Sequence, residues 1–130
     1  MFRDVMKLKV FTLADGLALE VYRLTLGFPP EDRSGLDALL RRSALSVPLR
    51  IMEACRKGGD EGFIQGLGFA AEAAADGRYL TGLAGQLGLL SAEQSQQTQE
   101  AFQHVMMALY GLRKAARNRE RAPAAETREG

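Results

Sequence analysis

Residues 41–54 read Arg41-Arg42-Ser43-Ala44-Leu45-Ser46-Val47-Pro48-Leu49-Arg50-Ile51-Met52-Glu53-Ala54, and this stretch decides the fold class. Its apolar residues recur at helical spacing, so it predicts an amphipathic helix although Pro48 lies in the middle. A proline inside a helix costs about 3 kcal/mol, because it removes a backbone donor and clashes with the preceding turn. We expect packing to offset this cost, and Ser46 or water to bond a backbone group near the Ala44 carbonyl that loses its donor.

Another helix is predicted before this one, because apolar residues recur at steps of three and four: Val10, Leu13, Leu17, Val21, Leu24 and Phe28. Gly27 and the Phe28-Pro29-Pro30 run should end it. Pro30, followed by Glu31 and Asp32, suits the first turn of the helix that contains Pro48, since acids favour the positive end of a helix dipole. That second helix should end near residues 56–59, where two basic residues precede two glycines.

Two more helices are predicted on the C-terminal side. Asp60 suits the N-cap of the third, whose many glycines favour close approach to a neighbouring helix over a phosphate-binding loop. Ser91 and Gln94 have the spacing of a capping box and should begin the fourth. The fourth helix should bury a stripe made of Thr98, Phe102, Val105, Leu109, Leu112 and Ala116.

The four helices predict an all-α protein with an up-down-up-down antiparallel four-helix bundle, because they are joined by short turns. The chain has 130 residues, which favours one domain with a sizeable core. We assign residues 1–118 to the bundle. Residues 119–130 change in composition to Arg, Glu, Ala, Thr and Gly, and we expect a disordered, charged tail there.

Composition favours a cytoplasmic protein with no enzymatic activity. The single cysteine, Cys55, fits a reducing compartment. No run of about 20 apolar residues predicts a membrane span, and the charged N-terminus does not resemble a signal peptide. The only histidine, His104, is on a different helix from Cys55. The sequence has no His-x-x-x-His or Glu-x-x-His pair, so we expect no metal and no cofactor.

Positive charge is concentrated in two parts of a chain whose formal net charge is only +1. Residues 31–57 carry six basic and four acidic residues, and residues 113–121 carry five basic residues and one acidic residue. The candidate phosphate contacts are therefore Arg41, Arg42, Arg50, Arg113, Lys114 and Arg117. The alternative is that these side chains are merely solvated, and that those at the end of the fourth helix offset its dipole.

Several motifs in the expected order resemble a known family. They include Lys7-Leu8-Lys9-Val10-Phe11, Phe28-Pro29, residues 41–54, Phe63-Ile64, Leu87-Gly88-Leu89-Leu90-Ser91-Ala92-Glu93 and Leu109-Tyr110-Gly111-Leu112. Over roughly residues 7–117 the chain resembles the four-helix-bundle family of 23S rRNA intervening-sequence proteins, which also includes the accessory proteins of diversity-generating retroelements. The resemblance implies a homopentamer arranged as a ring around a pore, with basic surface used for nucleic acid. It also implies a reverse transcriptase as a partner in retroelement members.

Two functions follow as hypotheses. The first is a non-enzymatic oligomeric bundle that binds RNA or DNA through the six cations, with affinity that falls steeply as salt rises. The second is a structural or scaffolding homo-oligomer with no nucleic-acid ligand, in which arginines pair with acids of a neighbouring copy. A third, weaker idea is a small-ligand pocket in the core lined by Met52, Met106 and Met107. The sequence does not distinguish RNA from DNA, nor indicate a sequence preference or a biological process.

Overall fold

The computed structural model describes residues 3–31 and 35–121, and in these ranges the chain is all-α, without strands. A short 3-10 helix covers Val5–Lys7, and four long helices follow it. They are α1 (Lys9–Thr25), α2 (Leu36–Arg56), α3 (Asp60–Gln86) and α4 (Ala92–Glu120). The predicted number and type of elements are therefore confirmed.

α1 buries a stripe that is rotated from the predicted one. Val10, Leu17 and Val21 are buried as expected, but Leu13 is 41% exposed. The neighbouring positions Ala14 and Ala18 are buried in its place. Small side chains allow a close approach between helices, so the packed face of α1 runs through its alanines as well as its larger apolar residues.

α2 begins at Leu36, not at Pro30 as the sequence indicated. Pro30 and Glu31 lie in a turn, and Asp32 lies outside the described residues. Gly35 precedes the helix with a φ of +70°, a left-handed conformation that glycine adopts without steric cost. The glycine therefore sets the entry to α2, and Pro30 and Glu31 belong to the connection before it.

Pro48 lies within α2 and is buried. The Ser46 hydroxyl donates to the Arg42 carbonyl at 2.8 Å, and not to the Ala44 carbonyl that loses its donor to the proline. Burial of the pyrrolidine ring in the core is the compensation for Pro48 that the structure shows.

Close helix approach is confirmed for two glycines of α3. A β-carbon at Gly66 would lie 2.5 Å from the Ala54 β-carbon on α2, and one at Gly77 would lie within 2.8 Å of three ring atoms of Phe102 on α4. The helix begins at Asp60, directly after Gly59, so Asp60 is its first residue and not its N-cap. Small residues in α3 therefore serve packing on both sides.

The capping box at the start of α4 is confirmed. The Gln94 backbone N–H donates to the Ser91 hydroxyl, and the Ser91 backbone N–H donates to the Gln94 side chain, each at 3.0 Å. At its other end α4 continues through Arg119 to Glu120, two residues beyond the boundary set at 118. The remainder of the predicted tail, residues 122–130, lies outside the described residues.

All four long helices contribute to one core, whose largest fully buried side chains include Val21, Ile51, Leu67, Phe102 and Leu109. A smaller cluster of Phe28, Leu36, Ala84 and Leu90 packs beneath the connections at one end. The methionines do not line a common pocket inside this core, because Met107 is 57% exposed and Met52 and Met106 are only partly buried. The idea of a methionine-lined ligand pocket in the core is therefore wrong.

Candidate nucleic-acid interface

The six candidate cations lie in two places on the protomer. Arg41, Arg42 and Arg50 are on α2, whereas Arg113, Lys114 and Arg117 are in the last turns of α4. Arg41 contacts the end of α1, and Arg113 contacts the start of α3 near the level of Ala54. Thirteen residues of α2 separate Arg41 from Ala54, which is about 20 Å at 1.5 Å per residue. Arg41 and Arg42 are therefore in a cationic region separate from that of the α4 residues, and Arg50, only four residues before Ala54, lies nearer the α4 region.

Arg41 joins α1 to α2. Its Nε donates to the Thr25 hydroxyl oxygen at 2.7 Å, and its guanidinium lies over the Tyr22 ring, 5.1 Å from the centroid. The Thr25 hydroxyl is buried and is itself bonded to the carbonyls of Val21 and Tyr22, at 2.9 and 3.0 Å. These partners are neutral, so Arg41 keeps its positive charge while it stabilises the packing of the two helices.

Arg50 differs from the other candidates because a carboxylate neutralises it. Its Nη1 lies 2.7 Å from Glu53 Oε1, one turn along α2. The hydrogen bond from Arg50 is the main reason why the pKa of Glu53 is lowered, and the nearby charges of Arg56 and Lys57 lower it further. Because both partners are about half exposed, the pair contributes little to stability, but it reduces the attraction of Arg50 for an anion.

Arg113 and Arg117 line a groove between α3 and α4. Arg113 Nε donates to the Ile64 carbonyl at 3.2 Å, and its guanidinium crosses α3 beside Gly68, where a β-carbon would lie 3.4–3.5 Å from it. Glu61 and Glu72 line the same groove, yet neither forms an ion pair with either arginine among the described residues. An alanine at residue 68 would make ordinary van der Waals contact with the guanidinium, so the bond from Arg113 to the α3 backbone does not depend on a glycine there.

Arg42 and Lys114 are exposed, and within residues 3–31 and 35–121 their side chains have no hydrogen-bond or ion-pair partner. Both charged groups are therefore fully hydrated and free to approach an anion. They lie on different helices, in the two regions described above. Each region thus holds at least one cation that the fold does not use.

Another pair of arginines is used by the fold. Asp60 at the start of α3 forms ion pairs with Arg3 and with Arg119, the latter at 3.6 Å. The Arg3 guanidinium also lies over the Phe63 ring, 3.9 Å from the centroid. These contacts join the N-terminal segment and the end of α4 to α3. Arg119 therefore has an ion-pair partner, whereas Lys114 and Arg117 have none within the described part of the chain.

Sequence reasoning missed two residues beside the α4 candidates. Tyr110 is 43% exposed, and Arg121 is exposed directly after the last helical residue. Tyr110, Lys114, Arg117 and Arg121 follow one another at steps of 4, 3 and 4 residues, so they lie on one side of the helix. The spacing was readable from the sequence, but the tail boundary at 118 excluded Arg121.

The reactive side chains do not form a cluster. Cys55 is buried, and burial raises the pKa of its thiol, whereas His104 is exposed on α4. In the described part of the chain, no three His, Cys, Asp or Glu residues are grouped so that they could hold a metal ion. In the same part, none of the helices has the length and apolar character needed to span a membrane.

Comparison with known proteins gives one family and a structural neighbour. The model of the family described as 23S rRNA-intervening sequence protein matches residues 6–111. A crystal structure at 1.70 Å, of a protein with unknown function from the S23 ribosomal protein family of Bacteroides thetaiotaomicron VPI-5482, is similar, with a TM-score of 0.75 and 20% identity. The similarity covers 81% of this chain and 95% of that one, and at this identity it shows the fold alone. Comparison with curated proteins found no match.

Proposed function

The chain belongs to the family of 23S rRNA-intervening sequence proteins, and we propose that it is a non-enzymatic, oligomeric bundle that binds RNA or DNA through phosphate contacts. The observation that carries the proposal is that most of the six candidate cations are not neutralised by a carboxylate. Only Arg50 is neutralised by a carboxylate within the described residues. Arg41 and Arg113 bond neutral oxygens, so five of the six retain a charge that a phosphate could neutralise.

We further propose an up-down-up-down antiparallel bundle that assembles as a ring of five copies. Contacts between consecutive helices support the topology. The end of α1 meets the start of α2 through Thr25 and Arg41, and Ala54 near the end of α2 meets Gly66 near the start of α3. A ring would bring cationic regions of neighbouring copies together, so that two regions that are separate in one protomer could contribute to one field.

Salt dependence of binding tests the phosphate contacts. Binding of a fluorescent oligonucleotide is measured by anisotropy between 50 and 200 mM salt, and log K should fall with log salt by about 0.7–0.9 per phosphate neutralised. The Lys114→Gln and Arg117→Gln double variant should lower the magnitude of this slope by about 1.4–1.8. Arg23→Gln is the matched control, because Arg23 is an exposed arginine on α1, away from the α4 cations that the double variant removes. Absence of binding at 50 mM salt, or a slope of zero, would refute the proposal.

A scaffolding homo-oligomer without a nucleic-acid ligand is the second candidate, and one observation favours it. Leu45, Leu49 and Phe69 are 38%, 55% and 48% exposed, on the adjoining outer faces of α2 and α3. Phe69 lines a groove with Arg50 and acidic residues of α3. A second copy could cover this apolar surface and pair its charges. Under this hypothesis, Arg42→Glu alters the assembly mass measured by light scattering, and neither protein binds nucleic acid.

A further inference from the structure

We propose that the outer face of α4 binds single-stranded nucleic acid, with one base stacked on Tyr110 and with phosphates contacted by Lys114, Arg117 and Arg121. The inference rests on the proposed function and deepens it, because it names the strandedness of the ligand and a residue that contacts a base. We refer to these four residues as the α4 stripe.

The geometry of the α4 stripe fits an extended ligand. Its first and last residues are eleven positions apart, about 16 Å along a helix. Leu109 and Ala116, which are buried in the core, are rotated by about 110–130° from the middle of the stripe, so the stripe lies on the flank of α4, outside the core. Stacked nucleotides of one strand advance by about 3.4 Å each, so the stripe spans about four or five nucleotides. The three cations would neutralise two or three of their phosphates.

The charges around the α4 stripe favour a polyanion. Lys114, Arg117 and Arg121 form no ion pair with the described residues. The nearest acidic residue in the sequence, Glu120, is rotated by about 100° from Arg121. Glu61 and Glu72 lie across the groove on α3, beside Arg113 and Arg117. The outward side of the stripe, where Lys114 and Arg121 lie, is therefore positive.

The exposure of Tyr110 indicates that the ligand is a single strand and not a duplex. Its side chain is partly exposed, and it has no hydrogen-bond partner in the described ranges. An exposed aromatic ring beside a row of cations offers a stacking surface for an unpaired base, whereas the bases of a duplex are already stacked on one another. Cations at the end of α4 are explained by the helix dipole, which they offset, but the dipole does not explain an exposed tyrosine one turn before them.

The test compares three labelled ligands by anisotropy at 50 mM salt: a 12-nucleotide oligouridine, its deoxyribose counterpart and a 12-base-pair duplex. Loss of one stacked base weakens binding by roughly 5- to 150-fold. Tyr110→Ala should therefore weaken binding of a single strand by that factor and leave duplex affinity within twofold. Tyr110→Phe should keep single-strand affinity, since the ring is retained. Tyr79→Ala is the matched control, because Tyr79 is 69% exposed on α3 and outside the stripe. Circular dichroism checks that each variant is folded.

The outcomes separate this inference from the proposed function. If Tyr110→Ala loses affinity for the ribose strand alone, the result supports the inference and identifies RNA. If it loses affinity for both the ribose and the deoxyribose strand, the result supports the inference for either nucleic acid. If the wild-type protein binds but Tyr110→Ala binds every ligand as the wild type does, or weakens single strand and duplex equally, the inference is overturned and phosphate binding stands. If the wild-type protein binds none of the three ligands, both proposals fail.

Discussion

Substitution of Gly77 by alanine tests the packing of α3 against α4. The new methyl group would lie within 2.8 Å of three Phe102 ring atoms, whereas carbon atoms in contact are ordinarily 3.5–4.0 Å apart. The Phe102 side chain is fully buried, so its rigid ring has no solvent-filled space to enter. Overpacking of this kind costs about 1–3 kcal/mol, and the better helix propensity of alanine returns about 1 kcal/mol. Since the overlap is about 1 Å, we expect the upper part of the range and a net loss of about 2 kcal/mol.

Urea unfolding followed by circular dichroism measures this loss as a lower midpoint with an unchanged slope. The matched control is Gly16→Ala on α1, where a β-carbon would have no atom within 4 Å. It should stabilise the protein by about 0.5–1 kcal/mol, because the same propensity gain comes without a clash. The two Gly→Ala substitutions should therefore have opposite signs. A Gly77→Ala variant at least as stable as the wild type would refute the close α3–α4 contact.

Two further predictions concern packing and protonation. Gly66→Ala should lower the free energy of unfolding by about 2 kcal/mol, because its methyl would lie 2.5 Å from the Ala54 β-carbon. Adding Ala54→Gly removes that β-carbon and should recover at least 1 kcal/mol in urea unfolding. If the losses of the two single variants simply add in the double variant, the contact is contradicted. Burial raises the pKa of the Cys55 thiol above its usual range, so above about pH 9 the unfolded chain ionises first and stability falls, by at most ~1.4 kcal/mol per pH unit. Urea unfolding at pH 7 and pH 10 should show a steeper fall for the wild type than for Cys55→Ala, and parallel falls would exclude this effect.

Periodicity predicted the helices well where large apolar residues alone determine the packed face. The capping box of α4 was correct, and five of the six residues predicted to face the core are buried, whereas Leu112 is only partly buried. Both predictions depend on local spacing. The start of α2 was misplaced, since Pro30 followed by acids resembles a helix start and nothing local excludes it. In α1, Leu13 was expected inside, but Ala14 and Ala18 are buried instead. The side of α1 that faces the core depends on how closely the other helices approach. The periodicity of apolar residues gives no information about that distance.

The candidate cations were found by local charge, but their roles needed tertiary contacts. The Arg50–Glu53 pair has i,i+3 spacing and could have been read from the sequence. The contacts of Arg41 with Thr25 and of Arg113 with Ile64 join residues 16 and 49 positions apart, so no local pattern reveals them. The separation of the six residues into two regions has the same origin. This separation depends on which ends of the helices pack against one another, and that is a tertiary property.

The decisive evidence between the two candidate functions therefore comes from an aromatic side chain and not from charge. Cations near the end of α4 have two explanations, since they stabilise the negative end of the helix dipole and also attract phosphate. Salt dependence alone does not separate these, because an exposed lysine binds any polyanion weakly. Tyr110 gains nothing from the dipole, and the core does not need its ring, which is 43% exposed. Selective loss of single-strand affinity in Tyr110→Ala would require a base on that ring. A scaffold whose second copy covers Leu45, Leu49 and Phe69 would instead show no nucleic-acid binding in the wild type or in this variant.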